Sequence, residues 1–421
     1  MSRRFTRHPL PIVLFAVFID LMGFGVLIPV LPQLLANPSS PFYLLPPSAP
    51  ASEGYLLLGL LLASFPFAQF FFAPILGQAS DVVGRRKMLL LSIAGTSVSY
   101  LMFGFGIVTR RIWLLFAARL LDGVTGGNVS VSQAVVADVT PPPLRARNFG
   151  LIGAAVGLGV IFGPLLGGWL SDPALVPWFN ATTPFWLAVL LSAANIAWVY
   201  ARLPETVHAK THGWKVRWNE SLHHLRKAWS LRGLRPLFAT MLTFNTGLSF
   251  FITFMGVFLV ARFGFTENAT GDYFAFAGLC IAASQVGLPN FFARRFGERR
   301  VLEATLLASG FGVLLVYLFE NQTVLWLATP VFASLIGLAQ ANATSLVSRS
   351  VGAGIQGEIL GINASVNALS QAVPPVLAGV AAAAIAPDAP ILIAAVLLIV
   401  AGAAFVFIPN TLRRKGGGVM E

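Results

Sequence analysis

The sequence predicts an all-α integral membrane protein in which twelve transmembrane helices form two pseudo-symmetric six-helix bundles. The 421-residue chain is 56% hydrophobic and 10% charged, whereas soluble domains carry roughly a quarter charged residues. It contains twelve apolar stretches of transmembrane length, and the second six repeat the pattern of the first. Because each span needs ~20 residues, no room is left for a sizeable soluble domain.

The apolar stretches follow one another along the whole chain. They start near Leu10, Tyr55, Lys87, Ile112, Phe149, Pro184, Pro236, Asp272, Val301, Val324, Ile359 and Pro390. The first follows a basic start, as the apolar part of a signal peptide would. It lacks a small-x-small cleavage site and continues to Pro32, so we expect it to be retained as a helix.

The net charge of +12 would suit a nucleic-acid-binding protein, but the positions of the basic residues indicate a membrane orientation instead. The segments on one side are strongly basic: Arg3, Arg4, Arg7, Arg85, Arg86, Lys87, Arg145, Arg147, Arg294, Arg295, Arg299, Arg300, Arg413, Arg414, Lys415 and seven residues of the central loop. The segments on the other side carry only Arg110, Arg111 and Arg262. This positive-inside bias predicts a multi-pass protein of the cytoplasmic (inner) membrane with both termini in the cytoplasm and no nucleic-acid partner.

No catalytic or metal-binding constellation is evident in the sequence. The single cysteine, Cys280, lies inside a span, and the histidines lie near a terminus or in the central loop. We therefore expect no metal site and no disulfide within the chain. The sequence has no paired nucleophile and base and no phosphate-binding loop, so we expect neither an enzyme nor an ATP-driven pump.

The two halves of the chain match at spaced positions about 211 to 214 residues apart. The matching pairs are Gly123 and Gly337, Asn128 and Asn342, Gly150 and Gly361, Pro164 and Pro375, and Gly168 and Gly379. The repeat predicts an N-terminal bundle at 1–202, a cytoplasmic central loop at 203–235 and a C-terminal bundle at 236–421. The loop is either a plain linker or includes an amphipathic helix on the inner membrane surface.

The loop between spans two and three carries the pattern Gly-x-x-x-Asp-x-x-Gly-Arg-Arg, formed by Gly77, Asp81, Gly84, Arg85 and Arg86. Gly84 permits a tight turn, and the arginines suit anionic lipid. Asp81 can pair with Arg145 or Arg147, or cap the inner end of span eleven, and such contacts would hold the cytoplasmic side closed. The pattern resembles the loop signature of the major facilitator superfamily; the alternative is a plain basic turn.

Three charged residues are predicted near the membrane midplane: Asp20 in span one, and Arg119 and Asp122 in span four. Asp20 and Asp122 each lie about ten residues, or ~15 Å, into their helix. Arg119 and Asp122 share a helix face because they are three residues apart. One interpretation is a structural ion pair between helices. However, two acids and one base leave a carboxylate over, and a desolvated carboxylate without a full partner can take a proton near neutral pH. The sequence thus predicts a proton-coupling site.

A glycine ladder runs along span five, formed by Gly150, Gly159, Gly163, Pro164, Gly167 and Gly168. Small residues let membrane helices approach closely, so one interpretation is a tightly packed helix. The spacing also resembles the fifth-helix motif of drug:proton antiporters in the major facilitator superfamily. Together with Gly23-Phe-Gly25 in span one and Ala137-Asp138 at the end of span four, it resembles the tetracycline-exporter branch.

Seven amide side chains fall within spans and are the candidates for lining a substrate cavity: Gln69, Asn128, Asn245, Gln285, Asn342, Asn367 and Gln371. Polar residues of membrane helices usually face the bundle interior. The alternative is that several of them only form hydrogen bonds between helices.

The resemblance implies proton-coupled efflux of drugs, such as tetracycline or other small amphipathic compounds, by alternating access. We expect a monomer that needs no cofactor because the proton gradient drives it. Tetracycline exporters carry further charges in span three that this chain lacks, so hydrophobic or cationic drugs fit equally well. The alternatives are a superfamily carrier of a sugar, metabolite or lipid, and a membrane receptor that transports nothing, although a receptor would not need buried acids.

Overall fold

The computed structural model describes residues 9–207, 219–230, 234–349 and 356–407, and every regular element in these ranges is helical. The first half contains α1 (Pro9–Leu35), α2 (Ala51–Val83), α3 (Arg85–Val108), α4 (Ile112–Thr125), α5 (Asn128–Val139), α6 (Arg145–Trp169) and α7 (Thr183–Arg202). The second half contains α8 (Glu220–Ser230), α9 (Arg235–Phe263), α10 (Glu267–Gln285), α11 (Leu288–Phe296), α12 (Glu298–Leu318), α13 (Gln322–Arg349), α14 (Gln356–Ala372), α15 (Pro374–Ala384) and α16 (Ala389–Val406). The predicted all-α membrane fold is confirmed.

Ten segments of the described chain are long and apolar enough to cross a membrane: α1, α2, α3, α6, α7, α9, α12, α13, α14 together with α15, and α16. The other two predicted spans, the fourth and the eighth, are each built from two shorter helices. The fourth is interrupted at Gly126 and Gly127, and the eighth at Val286 and Gly287. Glycine has a low helix propensity, which favours a break at these positions.

The described residues divide between two compact units. The first has the bounds Met1–Gly54, Ser64–Trp218 and Phe265–Ala275, and the second has the bounds Tyr55–Ala63, Asn219–Gly264 and Phe276–Glu421. The predicted domain boundaries at 202 and 236 stay a prediction. The central loop contains α8, but Trp214, Trp218 and the basic residues before residue 9 and after residue 407 lie outside the described ranges.

The predicted internal repeat is visible in two close helix crossings, one in each unit. In the first unit, a Cβ atom built on Gly168 of α6 would lie 3.1 Å from the Cα atom of Gly271 in α10. In the second unit, a Cβ atom on Gly379 of α15 would lie 3.1 Å from the Cα atom of Gly59 in α2. Since Gly168 and Gly379 are a predicted matching pair, the two crossings confirm the pseudo-symmetry of the bundles.

The helices α1, α3, α5 and α7 of the first bundle surround an apolar core, and the candidate site lies on α1, α3, α4 and α5. At the end of this core where α3 begins, which is the end predicted to be cytoplasmic, lies an inner apolar layer in which Val13, Leu89, Val135 and Val199 are all fully buried. Such burial excludes water from this end of the core. Asp20 lies two helical turns beyond Val13 along α1, so the candidate site lies beyond this layer.

Candidate functional site

Asp20 and Asn128 come together at the centre of the first bundle, although 108 residues separate them in the chain. The Nδ2 atom of Asn128 donates a hydrogen bond of 2.7 Å to Oδ1 of Asp20. The same Nδ2 lies 3.4 Å from the hydroxyl oxygen of Thr96 on α3. Three helices, α1, α3 and α5, therefore meet at the Asp20 carboxylate, which is half-buried.

Arg119 and Asp122 form a buried ion pair within α4. Nη1 of Arg119 lies 3.3 Å from Oδ2 of Asp122, and the side chains are 1% and 6% exposed. The guanidinium carbon lies 5.7 Å from the ring centre of Phe24 and 4.5 Å from that of Phe65, distances typical of cation–π contacts. The Nε and Nη2 atoms of Arg119 have no hydrogen-bond partner among the described residues.

The ring of Phe24, one helical turn after Asp20 on α1, contacts the Arg119 guanidinium, which places the ion pair beside Asp20. Asp20, Arg119 and Asp122, with Thr96 and Asn128, thus form one acid cluster. When both acids are ionised, the cluster carries a net charge of −1. One proton neutralises it, and the protein interior favours the neutral form over an unpaired charge. The arrangement can therefore bind and release a proton.

The interruption of the fourth span positions this acid cluster. Asn128 is the first residue of α5, directly after the break. The carbonyl oxygen of Gly126 accepts a hydrogen bond of 2.9 Å from Nε2 of Gln69 on α2, which satisfies a backbone group that the break leaves free. Broken helices at the membrane midplane are a common device for binding sites in transporters.

The second predicted site, at the end of the bundle predicted to be cytoplasmic, is centred on Arg85. Its Nη2 atom lies 2.6 Å from Oδ1 of Asp81, and its Nε atom lies 3.2 Å from Oδ2 of Asp138. Its backbone N–H donates a hydrogen bond of 2.7 Å to Oε1 of Glu205, which caps the start of α3. Gly84 has a φ of +113°, and a Cβ atom there would collide with the Glu205 carboxylate. Glycine is therefore required at this turn.

The predicted partners of Asp81 are not its partners here. Within the described residues Asp81 pairs with Arg85, while Arg145 donates to the carbonyl oxygen of Thr140 and Arg147 is exposed. A pair four residues apart needs no tertiary contact, which explains why it forms locally. The residues just before Gln356, at the inner end of span eleven, lie outside the described ranges. The role of this region as a cytoplasmic gate, including Gly77 and Arg86, stays a prediction.

The glycine ladder splits between two neighbouring helices. Three of its members, four residues apart, face α1: Gly159, Gly163 and Gly167. A Cβ atom on Gly163 would lie 2.5 Å from the carbonyl oxygen of Met22, next to the turn that carries Asp20. Gly168 faces α10, and a Cβ atom on Gly150 would meet no atom within 4 Å. The ladder thus allows the backbones of α6 and α1 to touch on either side of Asp20; its sealing role stays a prediction.

The predicted cavity amides have varied surroundings. Nδ2 of Asn245 on α9 donates a hydrogen bond of 2.6 Å to Oδ1 of Asn367 on α14. Asn342 is buried and donates to a carbonyl oxygen of its own helix, whereas Gln371 is exposed. Gln285 lies 3.5 Å from Gln340. Gln69 and Asn128 belong to the break and the acid cluster. That these seven amides line a cavity stays a prediction.

A family model described as "Major Facilitator Superfamily" matches residues 13–291, a range that includes the acid cluster, the ladder and the Arg85 region. The chain belongs to the major facilitator superfamily. Individual members of this superfamily are similar to it over most of its length. The tetracycline resistance protein of class E from Escherichia coli is 30% identical over 372 residues, which cover 86% of this chain and 84% of that protein. The class G protein from Vibrio anguillarum is 32% identical over 366 residues, covering 86% and 88% of the two chains.

Solved structures of other superfamily members share the fold. The crystal structure of the human organic anion transporter MFSD10 (TETRAN) aligns with a TM-score of 0.68 and 25% identity over 96% of this chain and 100% of that chain. The D-xylose–proton symporter aligns with a TM-score of 0.77 and 13% identity over 96% and 98% of the two chains. The predicted resemblance to the superfamily and to the tetracycline-exporter branch is confirmed.

Thr96 of the acid cluster and three neighbours of the cluster were not predicted from the sequence of this superfamily member. Thr96 and Tyr100 lie one helical turn apart on α3, and a Cβ atom on Gly23 would collide with the Tyr100 hydroxyl. Phe24 and Phe65 enclose Arg119. The signal in the sequence was the spacing of Thr96 and Tyr100, one turn apart on the same face of α3. Among the described residues, no three His, Cys, Asp or Glu side chains lie together as a metal site would need.

Proposed function

We propose that this chain exports drugs, tetracycline among them, or other small amphipathic compounds across the cytoplasmic membrane in exchange for protons. The observation that carries the proposal is the acid cluster, where two carboxylates and one guanidinium meet at the break in the fourth span. The names of the tetracycline resistance proteins that are similar over most of the chain support the choice of cargo. We propose a monomer with both termini in the cytoplasm and no cofactor.

Asp20 and Asp122 differ in accessibility, and this suggests different roles. Asp20 is half-buried, whereas Asp122 is almost fully buried and paired with Arg119. In the proposed cycle, a proton from outside neutralises the cluster through Asp20, and Arg119 remains paired with Asp122. The drug then binds to the state that has lost the proton on the inside. Release of the drug on the outside exposes the Asp20 carboxylate to the outer solution again.

The proton gradient supplies enough energy for useful export. One elementary charge that moves through ~100 mV gains ~2.3 kcal/mol. Because every ~1.4 kcal/mol is a factor of ten, this supports roughly fifty-fold accumulation of a neutral drug. A single net proton per cycle is therefore sufficient for resistance.

The test uses the purified protein in proteoliposomes with a pH-sensitive dye inside and tetracycline as the probe. A pH gradient should drive tetracycline against its concentration gradient, and a tetracycline gradient should move protons in the opposite direction. Asp20→Asn should abolish both fluxes, while Glu320→Gln, which changes an exposed acid, should preserve them. Full proton-coupled transport by Asp20→Asn would exclude Asp20 as the proton carrier. Tetracycline flux without proton flux in the wild type would instead favour a carrier that is not an antiporter.

A second candidate function is the transport of organic anions. The observation that favours it is the pair of unused donors, Nε and Nη2 of Arg119, since buried donors of an arginine suit an anionic oxygen. The human relative MFSD10 is described as an organic anion transporter. Competition distinguishes the two functions: an aromatic carboxylate should inhibit tetracycline binding strongly in this second case, and Arg119→Lys should weaken that inhibition.

A further inference from the structure

Four residues in the core of the first bundle are fully buried but leave their polar side-chain atoms without a partner. The four, here called the Ser–Asn cluster, are Ser92 on α3, Ser132 on α5, and Ser192 and Asn195 on α7; each is 0% exposed. The hydroxyl groups of the three serines make no hydrogen bond to any described residue. The same holds for the oxygen and the nitrogen of the Asn195 amide. The charged and polar contacts described above use none of these atoms.

The pairing of α3 with α7 places three of these residues side by side. The antiparallel register is fixed by two contacts, Phe103 stacked on Phe185 with 4.7 Å between ring centres, and Arg86 donating to the carbonyl oxygen of Tyr200. Between these contacts, Ser92 falls level with Asn195, and Thr96 falls level with Ser192. Ser92 and Thr96 lie on the buried face of α3. Ser192 and Asn195 lie on the buried face of α7.

The pairing of α3 with α5 links the Ser–Asn cluster to the acid cluster. Asn128 contacts Thr96, and one turn further towards the cytoplasm the same two helices present Ser132 and Ser92. The Oδ1 atom of Asn128 is also buried without a partner. The Ser–Asn cluster therefore lies between the acid cluster and the inner apolar layer of Val13, Leu89, Val135 and Val199.

Buried polar atoms in native proteins are nearly always bonded to protein or to ordered water. A buried water needs two to four polar partners, and the Ser–Asn cluster together with Asn128 supplies them on three helices. We propose that this cluster holds a chain of ordered water that carries the proton between the acid cluster and the cytoplasmic side, separately from the path of the drug. The proposal rests on the proposed proton-coupled function.

The proton step needs no further reactant. The acid O–H bond breaks as the proton passes to a water oxygen, and each water passes a proton to the next until one reaches cytoplasmic water. The inner apolar layer interrupts this chain and prevents a continuous leak, so it must become hydrated for the proton to leave. With a separate route, the drug can bind beside Asp20 while the proton departs through the core of the bundle.

The test measures two fluxes in proteoliposomes with tetracycline as the probe. Asn195→Leu, and separately Ser92→Ala with Ser192→Ala, should slow proton-driven tetracycline export about tenfold or more. Exchange of tetracycline for tetracycline, which needs no net proton movement, and tetracycline binding should stay as in the wild type. The matched control is Thr305→Ala with Ser309→Ala on α12, whose hydroxyls donate to carbonyl oxygens of their own helix. The double serine variant keeps the test valid if Asn195→Leu does not fold.

Export at the wild-type rate by both cluster variants would overturn the inference while leaving the proposed function intact. A wild-type protein without proton-coupled flux would overturn the proposed function and this inference together. Equal loss of export and exchange would show a structural role only, and would also overturn it.

A second arm tests the inner apolar layer. Leu89→Asn should let protons enter the vesicles without any drug, because it extends the polar chain towards the cytoplasm. Leu302→Asn, at the equivalent fully buried position of α12, should not. Equal proton leak in the two variants, or none in either, would contradict a water chain that ends at this layer.

Discussion

The two bundles share one helix pattern but satisfy their buried polar side chains differently. In the second bundle, the hydroxyls of Thr305, Ser309 and Ser370 each donate to a carbonyl oxygen of their own helix. In the first bundle, the hydroxyls of Ser92 and Ser192 have no such partner. Among the described residues, the charged side chains that are almost fully buried are those of Arg119 and Asp122, both in the first bundle.

This difference shows how two repeats of one fold can take on different roles. A hydroxyl that is bonded to its own helix backbone is satisfied locally and needs no water or ion. Unsatisfied polar atoms and buried charges are costly and persist in membrane proteins chiefly where they serve function. The first bundle carries the buried charges and most of this cost, which is consistent with placing proton handling there. In the second half, atoms without a partner among the described residues include Oδ1 of Asn268 and Oγ1 of Thr270 on α10.

The largest expected contrast lies between two ion pairs. Asp122→Asn should lower the free energy of unfolding by about 3 kcal/mol because it leaves the Arg119 charge buried without its partner. Glu303→Gln removes the partner of Arg299 in the second bundle, where both side chains are 25% exposed, and should cost at most about 1 kcal/mol. Denaturant unfolding in detergent, followed by tryptophan fluorescence, measures both. Equal losses of unfolding free energy in the two variants would contradict the expected difference between the two ion pairs.

A smaller effect is expected from Gly163 and Gly167, two ladder glycines that the second bundle does not repeat. At the matching positions of Gly163 and Gly167 the second bundle has Pro374 and Ala378. Gly163→Ala should cost about 1–3 kcal/mol because its methyl group would press against the backbone of α1.

The control for the ladder is Gly150→Ala, whose methyl group meets open space. It should be neutral or stabilising by up to about 1 kcal/mol, as alanine favours helix more than glycine does. Thermal unfolding in detergent compares the two variants. If both changes had the same effect, close packing against α1 would not explain the ladder.

The smallest effect is expected for the amide pair of the second bundle. Replacing both Asn245 and Asn367 by Leu should change the free energy of unfolding by only about 0.6 kcal/mol, the average for hydrogen bonds between membrane helices. Drug-driven proton release should persist, since no ionisable group is removed. A complete loss of proton release in this variant would show that proton handling extends into the second bundle.

The sequence was sufficient for the membrane fold and the repeat, and it indicated that Asp20, Arg119 and Asp122 lie at a similar depth in their helices. The length of an apolar stretch, the charge of a loop and the depth of a residue along its helix are local properties of the sequence. Charged side chains within membrane helices usually face the bundle interior and pair with one another. The close contact of the ladder with α1 also follows from local chemistry, since glycine removes the side chain that would keep two backbones apart.

Other features depend on tertiary contacts that no local pattern contains. The break at Gly126 is stabilised by Gln69 from another helix, and the Ser–Asn cluster exists only because three helices meet in one register. The pair of Asp81 with Arg85 was not predicted, for the opposite reason. A local pair with Arg85 formed where distant partners were considered.

The contact between the ladder and α1 also limits how this protein can change. Every replacement of Gly163 adds atoms against the Met22 and Gly25 backbone beside Asp20, and backbone atoms cannot rotate away as side chains do. In the proposed exporter, selection by new compounds should therefore favour changes at the predicted cavity positions Asn245 and Gln371 and leave Gly163 unchanged. Sequencing of variants selected by such compounds would check this expectation.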